Sequence, residues 1–130
     1  LLSMAKELPI NFKLKESLIT QVHIQVIIIA IKEVNMKVEN MKSNRGNKVP
    51  NQFIITTETP EGNKVEYLQS YQTIIAKKIY DNLGCYVVET FLDKNAYNYS
   101  VTTAKYRNSF LGVSSKDFKA KDYILTDLNT

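Results

Sequence analysis

Apolar and polar positions change their spacing several times along this chain, and each change marks an element. The first apolar run covers 18–31, Leu-Ile-Thr-Gln-Val-His-Ile-Gln-Val-Ile-Ile-Ile-Ala-Ile. Val22, Ile24, Val26, Ile28 and Ala30 alternate there with His23, Gln25, Ile27 and Ile29, which reads as a strand first and a buried helix second. Gln21, His23 and Gln25 interrupt the run, and it falls short of the roughly 20 apolar residues that cross a bilayer. From Met36 onward the alternation becomes more regular. Positions 36–41 predict a short edge strand, Ser43-Asn44-Arg45-Gly46-Asn47 a turn, and 52–57 a β-branched strand. Pro60-Glu61-Gly62-Asn63 then closes a hairpin onto 64–71, with Val65, Tyr67 and Gln69 on one face and Glu66, Leu68 and Ser70 on the other. A strand at 73–80 sets Ile75, Lys77 and Ile79 against Ile74, Ala76, Lys78 and Tyr80. The turn Asp81-Asn82-Leu83-Gly84 leads into a last antiparallel strand at 85–92.

The period then lengthens to that of a helix. Ser100 is a good N-cap and Gly112 a good left-handed stop, which predicts a short helix at about 101–111. Tyr99, Thr103, Tyr106 and Phe110 recur at spacings of four, three and four and are expected to face a core. Thr102, Lys105 and Asn108 lie opposite, with Arg107 between the two sides, so the outer side is expected to offer a small polar, basic surface. In the tail, Ser114 or Ser115 caps a brief helical turn around 116–120, and 123–128 reads as a closing strand against the meander's edge. The fold predicted for 36–130 is α+β: an antiparallel meander of three to five strands packed on one short helix, with a C-terminal strand.

Residues 1–35 read as an N-terminal extension to that domain. Lys32-Glu33-Val34-Asn35-Met36 is what AAG-GAG-GTN-AAY-ATG encodes, a purine-rich ribosome-binding sequence before a start codon. The expectation is that translation starts at Met36 and that the Ile-rich run is translated leader. There is no small-residue cleavage site after the run, so it is not read as a signal peptide.

Composition narrows the chemistry. The chain has 130 residues, 44% hydrophobic and 23% charged, enough to bury a core without staples. Cys85 is the single cysteine, which leaves no disulfide framework, suits a reducing cytoplasm, and predicts a small buried hydrophobe. His23 is the single histidine and lies in the extension, so the domain has no histidine for a triad or a metal cluster. No pair of carboxylates has the spacing of a hydrolase motif, and the one-glycine turn at 43–47 is not a phosphate loop. No cofactor is expected and the chain is read as a non-enzyme. The net charge of +4 permits an anionic partner. Thr102, Lys105, Arg107 and Asn108 on the helix, Lys77 and Lys78 on the sheet, and Arg45 and Lys48 around the turn are the candidate binding residues, with tyrosines for stacking.

Three segments carry a resemblance. They are Arg45-Gly46-Asn47-Lys48-Val49-Pro50-Asn51-Gln52-Phe53-Ile54-Ile55, Leu68-Gln69-Ser70-Tyr71-Gln72-Thr73-Ile74-Ile75-Ala76-Lys77, and Tyr99-Ser100-Val101-Thr102-Thr103-Ala104-Lys105-Tyr106-Arg107-Asn108-Ser109-Phe110-Leu111-Gly112. In this order they resemble a family of small uncharacterised phage and mobile-element proteins over about 36–129. An aromatic-Asp-Tyr-Ser run commonly precedes the helix in that family, and here Asn98 stands where Asp is usual. The resemblance implies no activity. It implies a setting, the bacterial host cytoplasm without a membrane, and an accessory role: blocking a host defence protein first, binding DNA or RNA as the alternative, and a structural virion component as the third reading.

Overall fold

The first five strands follow one another through short turns, and the sheet that results keeps chain order to its last strand. The computed structural model describes residues 35–130; Met36–Thr130 forms a unit of its own. The strands are β1 (Lys37–Lys42), β2 (Lys48–Glu58), β3 (Lys64–Ser70), β4 (Thr73–Tyr80), β5 (Val87–Asp93) and β6 (Ile124–Thr126), and they pair in the order β1-β2-β3-β4-β5-β6. The first five run antiparallel, and β6 lies parallel to β5. Among the described residues one helix, α1 (Val101–Leu111), packs on β3 and β4, and a 3-10 turn at Ala120–Asp122 precedes β6. This is the α+β meander expected for the domain, with the helix where its caps predict it. The apolar run at 18–31 lies outside the described residues. Among the described residues no helix is long and apolar enough to cross a membrane.

Short side chains fix three of the four hairpin turns by accepting from backbone N–H groups two or four residues on. Ser43 Oγ accepts from Arg45 and Asn47. Thr59 Oγ1 accepts from Asn63, and Asp81 Oδ1 from Leu83 and Cys85. Such local acceptors stabilise turns over helix or ladder. Cys85 therefore belongs to a turn, is exposed, and does not enter the core as its type predicts; β5 begins two residues later.

Cross-strand partners share a face, so the register sorts the sheet into rows. Ile54, Leu68, Ala76 and Leu92 are aligned across β2 to β5 and form the floor beneath α1. The adjacent row, Ile55, Tyr67, Lys77 and Phe91, faces the other way. The alternation expected at 73–80 breaks at Ile75. A bulge inserts it between the partners of Leu68 and Gln69, so Ile75 and Ala76 are both buried, at 1% and 0% exposure. The Asn129 side chain takes up the neighbouring Ile74 N–H and carbonyl, at 2.7 and 2.9 Å.

Helix α1 begins at Ser100, whose Oγ accepts from Thr103 N–H at 3.0 Å, and ends at Gly112 in the left-handed region at φ 72°. Thr103 and Phe110 are buried and Tyr106 packs half-buried against the core, as their spacing predicts. Tyr99 does not join them. It precedes the extended cap residue, where helical spacing has not begun, and is 81% exposed.

Arg107 and Asn108 reverse the expectation of a polar outer side. They are 3% and 7% exposed, because the segment after Gly112 turns back across that side of the helix. Val113 N–H donates to the Asn108 carbonyl, and Phe118 lies under the guanidinium with its ring centre 3.5 Å from Cζ. Arg107 Nη1 donates to the Tyr97 carbonyl at 2.8 Å, while Nε and Nη2 both donate to Asn108 Oδ1 at 3.0 and 2.8 Å. Among the described residues no carboxylate pairs with it. Burial holds its pKa below the usual arginine value, and the charge is met by neutral oxygens and a ring face. Phe118 stacks in turn on Tyr123, 5.7 Å between centres, which carries the tail into β6.

Two predictions follow from this packing. Leu68→Ala, at a fully buried position, should cost about 3 kcal/mol, whereas Tyr99→Ala should stay within about 0.5 kcal/mol; urea denaturation checks both. By the same measurement Arg107→Ala should cost about 2–4 kcal/mol, since it strands buried acceptors, and Arg107→Lys should not restore the loss because an ammonium cannot reproduce the fork. An unchanged midpoint for Arg107→Ala would show that the clamp contributes nothing.

Candidate functional site

The β1–β2 hairpin places basic residues at both strand ends and at its tip. Lys42 and Lys48 are direct cross-strand partners, and Arg45 sits in the turn between them. The tip lies against α1, where Lys42, Arg45, Lys105 and Tyr106 line one groove of about 290 Å³. Lys105 Nζ stands 5.3 Å from the Tyr106 ring centre. Lys42, Arg45, Lys48 and Lys105 are all exposed, and none takes part in a salt bridge among the described residues. Four like charges on one patch repel each other modestly in water and together attract a polyanion.

Of the candidate residues, Arg45, Lys48 and Lys105 thus belong to one patch, and Thr102 is exposed one helical turn before Lys105 and Tyr106. Lys42 joins them. It closes an apolar-patterned strand and draws no notice in sequence, although three basic residues spaced across one tight turn are a signal in themselves. Lys77 and Lys78 do not join. Lys77 is on the face away from α1, with Nζ 5.5 Å from the Tyr67 ring centre and 5.4 Å from that of Phe91. Lys78 lies beneath the helix, where Nζ donates to the Phe110 carbonyl at 2.9 Å and pairs with Glu66 at 3.6 Å. Burial pushes the Lys78 ammonium below its usual pKa against the opposing pull of Glu66, and burial together with the 2.6 Å hydrogen bond to Glu66 Oε1 pushes the Tyr80 phenol up. That cluster ties helix to sheet. Arg107 and Asn108, buried by the tail, offer nothing to a partner.

A second concavity adjoins the patch. Between the β3–β4 turn and the start of α1 lies a cleft of about 710 Å³ whose walls include Asn51, Tyr71, Gln72, Tyr99, Ser100 and Thr103, over Ile75 and Ala96. No charged side chain lines it. All its residues except Ala96 come from the three segments that carry the resemblance. Tyr71 and Tyr99, 60% and 81% exposed, stand at its mouth. Asn51 and Tyr71 are the two non-glycine residues with positive φ among the described residues, at 64° and 56°, joined by a 2.7 Å bond from Tyr71 N–H to the Asn51 carbonyl. A bulky residue in that region costs of order 1–3 kcal/mol, so the surrounding structure must hold Tyr71 there. Behind the wall, buried Gln52 donates from Nε2 to Ser70 Oγ at 2.9 Å, and its Oε1 has no partner among the described residues.

Cleft and groove share a border. Thr103 lines the first and Tyr106 the second, three residues apart and therefore neighbours on the helix surface. Along β2, Lys48 and Asn51 are three positions apart, no more than about 11 Å of extended chain. The arrangement is a patch of exposed cations beside an uncharged, tyrosine-flanked hollow. Among the described residues no group of three His, Cys, Asp or Glu side chains is placed to hold a metal ion.

Comparison with curated proteins and with solved structures finds no match to this chain. A family model does match, over residues 36–125, most of the chain. The chain belongs to that family, described as a family of unknown function (DUF8033).

Proposed function

We propose that the protein is a non-catalytic binding module that holds a nucleic acid by its sugar-phosphate backbone, through the patch formed by Lys42, Arg45, Lys48 and Lys105. The observation that carries this reading is that four exposed cations from β1, the following turn, β2 and α1 converge without a carboxylate partner among the described residues. Backbone phosphates ask for this kind of surface: exposed Lys and Arg side chains that release counterions on contact, with an aromatic ring nearby. Tyr106 supplies the ring.

The burial of Arg107 and Asn108 bears on the choice between partners. A helix docking a protein by its polar side would use Arg107 as its anchor, and that side chain is spent inside the fold. We therefore prefer the nucleic-acid reading to the blocking of a host defence protein. The setting we attach to it, from the resemblance alone, is that of an accessory protein of a phage or related mobile element in its host's cytoplasm.

The test uses the full chain and labelled single- and double-stranded DNA and RNA at two salt concentrations. Each phosphate contact on a single strand contributes about 0.7 to the slope of log affinity against log salt, so replacing Lys42, Arg45 and Lys105 together by alanine should flatten the slope by about 2 and weaken low-salt binding by at least about tenfold. Lys77→Ala, on the opposite face, should leave both unchanged. Absence of binding at about 50 mM salt, where such contacts are strong, would overturn the reading.

A further inference from the structure

The cleft beside the basic patch has a chemistry of its own. Its walls combine neutral amides and hydroxyls, Asn51, Ser70, Gln72 and Thr73, with two exposed tyrosine rings and an apolar floor at Ile75 and Ala96. At about 710 Å³ it falls within the range of about 300–1,000 Å³ that holds small organic ligands. An anion would find no cation inside it. A planar, uncharged ligand with donors and acceptors along its edges would find rings for its faces and amides for its edges.

We propose that this cleft receives an unstacked nucleobase of a single strand whose phosphates lie on the Lys42–Arg45–Lys48–Lys105 patch. The inference deepens the reading of the patch and rests on it. Two observations favour a base over a neutral sugar, which also suits aromatic and amide walls. The cleft and the patch meet along α1, where Thr103 lines one and Tyr106 the other, so both lie within reach of one strand. Tyr71 is kept at φ 56° with its ring exposed, an arrangement that presents a stacking surface rather than filling a core.

Single strands are recognised in this way elsewhere in chemistry: backbone charge supplies attraction without sequence, and bases splayed onto aromatic side chains supply the rest. In a continuous duplex the bases remain stacked and cannot enter. The site therefore discriminates against double strands, and against any strand that lacks bases.

The test compares a natural oligothymidylate with an abasic deoxyribose-phosphate strand of equal length, titrated into the full chain at low salt. The expected result is that the base-bearing strand binds about tenfold or more tightly, the effect of one base stacked on an aromatic side chain. Tyr99→Ala, and separately Tyr71→Gly, whose backbone glycine accepts without strain, should abolish the preference while leaving the salt slope intact; circular dichroism verifies that each variant is folded. Equal binding of the two strands by the unaltered protein, with a steep salt dependence, would overturn the base pocket and leave the phosphate patch standing. Binding of neither strand would overturn both. A preference for bases that survives both tyrosine substitutions would place base recognition outside the cleft and also overturn the proposal.

Discussion

The buried guanidinium of Arg107 is the interaction on which the arrangement of the other parts depends. A cation with 3% exposure is costly to desolvate, and here it is offset by the Tyr97 carbonyl, the Asn108 amide oxygen and the face of Phe118. Those partners come from the loop before α1, the helix itself and the tail after it. One side chain thus closes three segments on each other, and the tail, so held, delivers β6 to the edge of the sheet. Without this closure the helix would keep contact with β3 and β4 but lose its outer cover, and its N-terminal turn, which forms one wall of the cleft, would keep only the Ser100 cap and the burial of Thr103 to place it.

The sheet supplies the second constraint. The aligned row Ile54, Leu68, Ala76 and Leu92 fixes which face meets the helix, and that in turn fixes the fate of the two adjacent lysines on β4. Lys78 faces inward and is consumed holding the Phe110 carbonyl; Lys77 faces outward between two rings. The hairpin of β1 and β2 keeps its cations exposed, and its tip lies against the helix. The patch is built by topology: residues 42, 45 and 48 are close in sequence, but Lys105 is brought to them only because α1 crosses the sheet at that end.

Much of this architecture was legible in the residues because it is set locally. Ser100 and Gly112 mark both ends of the helix through the geometry of a single cap each, and the inward set Glu66, Leu68 and Ser70 follows from strict alternation. What was not legible depends on contacts distant in sequence. The bulge that buries Ile75 beside Ala76 answers to pairing with β3, and the inward turn of Arg107 answers to Phe118, eleven positions further on. Periodicity assigned Arg107 to the edge of a polar side because it records spacing along one helix and not what folds over it. Tyr99 failed for the opposite reason, since it sits just outside the helix to which its spacing was referred. The candidate site was legible in part: Arg45, Lys48 and Lys105 lie on the patch, whereas Lys42 and the cleft emerge only when three separate segments meet.

Contact mapping distinguishes these surfaces most directly. In a heteronuclear NMR titration of the full chain with a short single-stranded oligonucleotide, the backbone amides that shift should cluster at 42–51, 70–73 and 99–109, the hairpin tip, the β3–β4 turn and the exposed turns of the helix. Shifts confined to the opposite face, around Ile55, Tyr67, Lys77 and Phe91, or no shifts at all, would contradict the assignment of the basic patch and its cleft as the binding surface.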